Sequence, residues 1–251
     1  MSKIISIHSF RGGTGKSNTT ANLSLLLADQ GLRVGIVDTD IQSPGIHVLL
    51  GLEPNEMKHT LNDYLWGKCE LSEAAHDITS HLGIKSGGQI FLIPSSMKAN
   101  DIARILKEGY DVGLLNDGFN NVLDDLELDV LMIDTHPGLN EETLLSIAIS
   151  DALVLIMRPD QQDIQGTAVT IDVARKLSVP DLLLIVNKAP DVYDFDQLKH
   201  DMEQVYECPV AAILPHSDEM MVLGGKGVFS LSFPDHPVTV KLKQVAARLM
   251  A

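Results

Sequence analysis

Cysteines, long apolar runs and basic residues are all scarce in this sequence of 251 residues. Its two cysteines, Cys69 and Cys208, lie far apart and form no Cys-x-x-Cys motif, so they predict reduced structural thiols and not a metal or redox centre. No apolar stretch is long enough to span a bilayer, and the short N-terminal run does not resemble a signal peptide, so we expect a cytoplasmic protein. Lysine and arginine total 19 against 34 acidic residues, and the net charge of −15 disfavours a broad electrostatic surface for DNA.

Short apolar runs recur along the chain and alternate with helix-like segments. Most runs are continuous, as expected for parallel strands that are buried on both faces. The runs lie at 4–7, 33–37, 90–93, 130–133, 153–157, 182–186 and 210–214. The helix-like segments lie at 22–28, 101–106, 141–149, 167–177 and 195–205. This alternation predicts a doubly wound α/β fold, a mostly parallel sheet with helices on both faces.

We expect a single domain over residues 1–251, because no repeat, low-complexity tract or linker divides the chain. The segment 53–89 is polar and is interrupted by glycines. We interpret it as a possible insertion near the functional site.

A glycine-rich segment, Ser-Phe-Arg-Gly-Gly-Thr-Gly-Lys-Ser at 9–17, follows the first apolar run and precedes the first helix-like segment. This is the context of a phosphate-binding loop, although Phe10 stands where the common pattern has a glycine. The glycines let the backbone N–H groups approach phosphate oxygens, while Lys16 supplies a charge and Ser17 a hydroxyl for Mg²⁺. The candidate nucleotide-binding residues here are Gly12, Gly13, Thr14, Gly15, Lys16, Ser17 and Asn18.

Acidic residues follow two of the predicted strands. Asp38 and Asp40 follow the run at 33–37, and Asp134 follows the run at 130–133. An apolar strand that ends in Asp before a glycine-containing turn is the Walker B arrangement, in which the carboxylate holds Mg²⁺ through water. Such an Asp can instead cap the next helix. Because these acids would crowd one anionic site, Mg²⁺ and an ordered water would account for them.

The apolar run at 182–186 ends in Asn-Lys-Ala-Pro at 187–190, which bears on the choice of base. GTPases use Asn-Lys-x-Asp at this point, and the Asp accepts two hydrogen bonds from guanine. Pro190 cannot accept them, whereas Asn187 can bond an adenine edge through its amide, so ATP is favoured over GTP. The alternative is that Asn187 is an ordinary loop residue.

With these residues assembled, the chain resembles the ParA/MinD family of deviant Walker A ATPases over nearly its whole length. The resemblance rests on the segments 10–17, 38–40 and 133–138, on Asn187 and on the Ile-Leu-Pro segment that ends at Pro215. It implies ATP or ADP with Mg²⁺ as cofactors. It also implies a cycle in which two ATP molecules are sandwiched between the subunits of a homodimer.

The resemblance also implies roles for individual residues. Asp40 would position the attacking water, and Asp38 and Asp134 would organise Mg²⁺ together with Ser17. The segments 45–52 and 137–142 would be switches I and II. The family's signature lysine, which reaches the phosphates of the other subunit, is replaced by Arg11. Arginine keeps the charge and can bind phosphate oxygens, so Asp40, Lys16 and Arg11 are the predicted catalytic residues.

Two further residues are weaker candidates for chemistry. Arg158 is a second candidate for the cross-subunit cation, but as a surface residue it would more simply anchor a loop through Asp160 or Asp163. His136 lies in the predicted switch II, where it could contact nucleotide or water or could pack as a loop residue.

The favoured function is an ATP-dependent dimerising switch that positions cellular cargo and hydrolyses ATP slowly until an adaptor or activator protein stimulates it. A metallocentre-assembly ATPase of the same superfamily is an alternative, but it would need clustered cysteines. A third possibility is a regulator that binds nucleotide and barely hydrolyses it. Cargo positioning uses a DNA or membrane surface, and the segment 238–250 could be a membrane helix or the last helix of the fold.

Overall fold

The computed structural model describes residues 2–251, and their strands form an eight-stranded sheet. The strands are β1 (Lys3–His8), β2 (Arg33–Asp38), β3 (His76–Asp77), β4 (Gln89–Ile93), β5 (Val130–Asp134), β6 (Ala152–Met157), β7 (Asp181–Ala189) and β8 (Val210–Pro215). Their order across the sheet is β3-β4-β2-β5-β1-β6-β7-β8, and every neighbouring pair is parallel except β3 and β4. The predicted strands and the mostly parallel sheet are confirmed.

Helices cover both faces of this sheet, as the alternation of the sequence predicts. They are α1 (Lys16–Ala28), α2 (Ile46–Leu49), α3 (Leu61–Leu65), α4 (Ala99–Glu108), α5 (Gly113–Asp125), α6 (Glu141–Ala148), α7 (Gln161–Lys176), α8 (Phe195–Tyr206), α9 (Asp218–Leu223), α10 (Phe229–Ser232) and α11 (Pro237–Leu249). The helix-like segments named from the sequence all lie in or overlap these helices. Sequence reasoning missed α5 and the short helices α2, α3, α9 and α10, and it placed the start of α7 six residues too late.

The strands carry continuous apolar runs because both faces of the sheet are buried. Along β5, Val130 and Met132 belong to the core that contains residues of α1 and α11, whereas Leu131 and Ile133 belong to the core that contains residues of α5. A strand side chain points to the opposite face from its neighbour, so each face needs its own set of apolar residues.

The segment 53–89 contains α3, a short 3₁₀ turn and the edge strand β3. β3 pairs antiparallel with β4, with His76 opposite Leu92. The segment therefore extends the sheet by one strand, and its interpretation as an insertion near the site stays a prediction.

The C-terminal segment forms α11, the last helix of the fold. Its apolar positions Leu242, Val245 and Leu249 are buried in the core shared with α1 and β8. Because that face is already covered, the interpretation as a packed final helix is confirmed and the membrane-helix interpretation of this segment was wrong. Across residues 2–251, every helix is too short or too polar to cross a membrane.

Candidate functional site

The candidate site lies at the carboxyl ends of β1, β2 and β5, three neighbouring parallel strands. The glycine-rich loop leaves β1, and α1 begins directly after it at Lys16. β2 and β5 are paired in register so that Asp38 lies opposite Asp134. Two carboxylates therefore lie beside a helix N-terminus, where ligands of open parallel sheets bind.

The loop needs glycine at two positions for reasons visible in its backbone. Gly13 and Gly15 have φ angles of +78° and +105°, which side-chain-bearing residues rarely adopt. A Cβ atom on Gly15 would also lie 2.5 Å from Nδ2 of Asn187. Any side chain at position 15 would therefore collide with Asn187 near the end of β7.

A cavity of about 400 Å³, here called the phosphate cavity, lies above this loop. Its lining combines the loop residues Gly12, Gly13, Gly15, Lys16, Ser17 and Asn18 with Asp40, Ser43, His136, Pro137 and Lys188. Six of the seven predicted loop residues and Asp40 therefore come together around one cavity, whereas Thr14 is buried and does not line it. Asp38 and Asp134 are buried side chains at the same strand ends.

The three carboxylates share a buried environment that opposes their charge. Burial, followed by the charges of Asp134 and Asp40, raises the pKa of Asp38 well above its ordinary value. Burial raises the pKa of Asp134 to about 6, although hydrogen bonds from Ser17 and Thr20 and the charge of Lys16 oppose the rise. Burial also raises the pKa of Asp40. A cation placed among them would restore their ionised forms.

The carboxylates of Asp38 and Asp134 and the hydroxyl of Ser17 suit Mg²⁺, which prefers oxygen ligands and keeps several of its waters. In the described part of the chain, no cluster of three or more His, Cys, Asp or Glu side chains forms a self-sufficient metal site. The remaining ligands would therefore be waters and phosphate oxygens, so the residues fit a metal that arrives with a nucleotide.

A second cavity of about 290 Å³, here called the base cavity, adjoins the loop on the side of β7 and β8. The predicted residues Asn18, Asn187 and Pro215 all line it, together with Gly15 and Lys188. The Nδ2 amide of Asn187 donates to the carbonyl of Thr14 at 2.8 Å, and its Oδ1 accepts the N–H of Lys188 at 2.9 Å. Both polar atoms of the Asn187 amide, which we expected to bind adenine, thus already have a partner within the protein, and Nδ2 holds the glycine-rich loop.

Several residues of these cavities were missed by sequence reasoning. The base cavity is also lined by His216, Ser217 and Met220, which follow β8. Ser217 caps α9 by accepting the N–H of Met220 at 3.1 Å, and a Ser before a helix is a signal that could have marked this turn. Lys188 lines both cavities, and the sequence offered only its place after Asn187.

Arg11 lies on the outer side of the loop, directed toward α7. Its Nη1 donates to Oε1 of Gln162 and lies 3.7 Å from Oδ1 of Asp163. Arg158 also contacts Asp163, with its Nε 3.1 Å from Oδ2, and its Nη2 lies 3.0 Å from Oδ2 of Asp160. The structural interpretation of Arg158 as a loop anchor is confirmed, and Arg11 does not line its own phosphate cavity.

The histidines at the site differ in what they can do. Nε2 of His136 lies 3.7 Å from Oδ1 of Asp40, inside the phosphate cavity. His8 is buried beneath it, with Nδ1 2.7 Å from Oγ1 of Thr135. Burial, with the charge of Lys16, lowers the pKa of His8 to about 3, so this imidazole stays neutral.

Comparisons with known proteins identify the family. A family model described as "AAA domain" matches residues 2–181. A putative septum site-determining protein MinD of Emiliania huxleyi is 25% identical over 234 residues, which make up 90% of this chain and 79% of that protein. The chain belongs to the ParA/MinD family of P-loop ATPases.

Similarity to known proteins extends over the full length of the chain. An uncharacterized ATP-binding protein of Methanocaldococcus jannaschii is 27% identical over 251 residues, covering 100% of this chain and 88% of that protein. The fold matches MinD of Pyrococcus horikoshii, solved with Mg-ADP, with a TM-score of 0.79 and 22% identity over 99% of this chain and 96% of that chain. This ParA/MinD chain therefore has the P-loop fold of that structure.

Proposed function

We propose that this ParA/MinD protein is an ATPase that binds ATP with Mg²⁺, dimerises around the nucleotide and returns to a monomer after hydrolysis to ADP. The residues would act in the roles that the resemblance to the family implies. Ser17, Asp38 and Asp134 hold Mg²⁺, Lys16 neutralises phosphate charge, and Asp40 orients the attacking water. We further propose that residues 1–251 form one domain and that it works in the cytoplasm.

The observation that carries this proposal is the pair of adjoining cavities on either side of Gly15. One is lined by the glycine-rich loop and Asp40, and the other by Asn187, Pro215 and apolar side chains such as Met220. A nucleoside triphosphate has this division, because its phosphates need N–H donors and a cation while its base needs a largely apolar slot. Bound Mg²⁺ would supply charge neutralisation at the phosphates.

The direction of Arg11 supports a role across a dimer interface. Its guanidinium contacts Gln162 on the outside of the loop, and its side chain is about two-fifths exposed. From that position it is available to a second subunit placed over the phosphate cavity. An arginine that reaches transferring phosphates can raise the rate by about 10³–10⁵.

The cargo-positioning role is supported by the similarity to MinD proteins. Its stimulating partner would be an adaptor or activator protein, and DNA or a membrane is the candidate surface. The alternative of a metallocentre-assembly ATPase gains no support from the cysteines, because Cys69 packs against one core cluster and Cys208 belongs to another. Both are free thiols.

The test is the mass of Asp40→Ala by light scattering, first with Mg²⁺–ATP and then with Mg²⁺–ADP. Because this variant should bind ATP without hydrolysing it, we expect a dimer with ATP and a monomer with ADP. Arg11→Ala in the same background is the matched control and should stay monomeric with ATP. A monomer under every condition, with nucleotide bound, would contradict the dimer switch and leave only nucleotide binding.

A further inference from the structure

Lys188 has an unusual backbone for its place in the fold. Its φ angle is +56°, although it lies within β7. Three other non-glycine residues of the described chain have positive φ, and each lies just after a helix, at Glu127, Ser178 and Glu207. For a lysine, the left-handed backbone conformation costs free energy, because its Cβ atom crowds the backbone. Its conformation therefore requires a compensating contact.

This conformation lets two consecutive side chains of β7 bind the glycine-rich loop. The pairing of β7 with β8 shifts register between Val186 and Ala189, so the strand is irregular at the two residues between them. In a regular strand, neighbouring side chains point to opposite faces. Here Asn187 donates to the carbonyl of Thr14 at 2.8 Å, and Nζ of Lys188 donates to the carbonyl of Gly13 at 2.9 Å.

Holding these two carbonyls also orients two N–H groups. A peptide unit is planar and trans, so its C=O and N–H bonds point in opposite directions. The carbonyl of Gly13 shares a peptide with the N–H of Thr14, and the carbonyl of Thr14 shares one with the N–H of Gly15. Fixing the carbonyls toward β7 therefore directs both N–H groups away from β7. A phosphate-binding loop works through N–H groups that are already aligned.

We propose that Asn187 and Lys188 form a clamp that pre-orients the loop N–H groups of Thr14 and Gly15 toward the phosphates, which makes Lys188 a nucleotide-positioning residue. The inference builds on the proposed nucleotide binding and adds a residue outside the glycine-rich loop. Lys188 also lines both the phosphate cavity and the base cavity. Its charged hydrogen bond to Gly13 is stronger than a neutral one would be.

The clamp makes a prediction that separates it from a contact with the γ-phosphate. Because it acts through the loop backbone, its loss weakens ATP and ADP binding by the same factor. A lysine that touched the γ-phosphate would weaken ATP binding alone. A merely structural residue would change the melting temperature of the nucleotide-free protein and leave nucleotide affinity unchanged.

The test measures Mg²⁺–ATP and Mg²⁺–ADP affinities by calorimetry for the wild type, Lys188→Met and Lys188→Asn. Asparagine tolerates positive φ, so the second variant removes the cation without adding backbone strain. We expect both variants to lose about tenfold or more in affinity for each nucleotide, as for the loss of a charged hydrogen bond. The exposed Lys199→Met, on α8, is the matched control and should bind like the wild type.

A second readout follows the N–H groups directly. The amide signals of Thr14 and Gly15 should shift strongly when Mg²⁺–ADP binds the wild type, and less in Lys188→Met. Wild-type affinities in both Lys188 variants, or a loss confined to ATP, would overturn the clamp alone. A wild type that binds neither nucleotide would overturn the proposed function as well, so the two failures are distinguishable. Lys188→Arg, which keeps a cation, should regain part of the lost affinity.

Discussion

Asp38 and Asp134 lie at positions where a negative charge does not stabilise the ligand-free fold. Both are buried, and they lie opposite each other at the ends of two paired strands. Asp38 accepts the backbone N–H groups of Asp40 at 3.0 Å and of Gly45 at 3.3 Å, which only partly offsets burial. At the residue scale, the site is therefore arranged for a cation that comes with a nucleotide.

The pKa of Asp134 leads to a prediction about stability in the absence of nucleotide. Its value is raised from 3.8 to about 6 in the folded chain. A raised carboxyl pKa stabilises the fold below pH ~4, and this contribution is lost as the pH rises through ~6. At pH 7.5 the charged Asp134 therefore costs about 2–3 kcal/mol relative to a neutral group. Asp134→Asn should unfold at higher urea than the wild type at pH 7.5, with little difference at pH 4.

The control for this prediction is Asp172→Asn, which changes an exposed acid on α7. It should shift the urea midpoint equally little at both pH values. Mg²⁺–ADP should stabilise the wild type more than Asp134→Asn at pH 7.5, because only the wild type keeps both carboxylates. If Asp134→Asn were less stable than the wild type at pH 7.5, the buried charge would be compensated within the protein itself.

At the residue scale, sequence reasoning correctly brought residues together where their position is set by a strand end, and their chemical roles stay predictions. The glycine-rich loop, Asp40 and the paired Asp38 and Asp134 all follow apolar runs, and parallel strands bring such ends together. The same reasoning gave no role to Lys188, because its contact depends on a positive φ that no pattern of residue types specifies. It gave no role to Met220, which reaches the base cavity from α9, a short helix that sequence reasoning did not predict.

At the scale of elements, the loop and α7 are fitted to each other through Phe10. This residue stands where the common phosphate-loop pattern has a glycine, and its ring packs on Gly166 of α7. A Cβ atom on Gly166 would lie 2.0 Å from Cδ1 of Phe10. A large residue in the loop is therefore accommodated by a missing side chain in the helix, and the neighbouring Arg11 also contacts α7 through Gln162.

This fit predicts that Gly166→Ala destabilises the protein. In an unhindered helix the change would stabilise by about 1 kcal/mol, because alanine favours helix more than glycine does. Here the methyl group would overlap the ring of Phe10. Because that ring is partly exposed and can shift more easily than a core side chain, we expect a net loss of about 1 kcal/mol, at the low end for overpacking. Urea unfolding of the variant against the wild type measures this difference.

The double variant Phe10→Ala with Gly166→Ala serves as the control, because removing the ring makes room for the methyl group. The two changes should then be non-additive, with the double variant more stable than the sum of the single effects predicts. Additive effects would mean that the ring moves away from Gly166 without cost and that the loop is not fitted to α7.

Elements were predictable where apolar periodicity agreed with local propensity, and α5 shows the opposite case. Its sequence contains two glycines and three asparagines, which are poor helix formers. The helix exists because Leu115, Phe119 and Val122 are fully buried against the sheet. Tertiary packing therefore overrides propensity there. The early start of α7 has a clearer signal, since Asp160 accepts the N–H groups of Gln162 and Asp163.

At the scale of the whole molecule, the fold follows from one property of the sequence. Continuous apolar runs separated by helix-like segments require a sheet that is buried on both faces, and this largely fixes the class of architecture. The pattern does not fix the edge of the sheet, because β3 has only two residues and pairs antiparallel. A strand that short leaves no periodic signal in a polar segment.

The net charge of −15 leads to a last prediction, about the proposed dimer. Two such subunits repel each other, and bound nucleotides add negative charge to both. Raising the salt from 20 mM to 200 mM shortens the screening length from ~20 Å to ~7 Å, which weakens repulsion across whole subunits far more than contacts at a few ångströms. We therefore expect Asp40→Ala with saturating Mg²⁺–ATP to dimerise several-fold more tightly at 200 mM salt, as measured by sedimentation. Nucleotide occupancy, measured at both salt concentrations, is the control. Weaker dimerisation at high salt with full occupancy would contradict this expectation. Short-range attraction, with Arg11 against the phosphates of the other subunit as its candidate, would then outweigh the repulsion between the two acidic molecules.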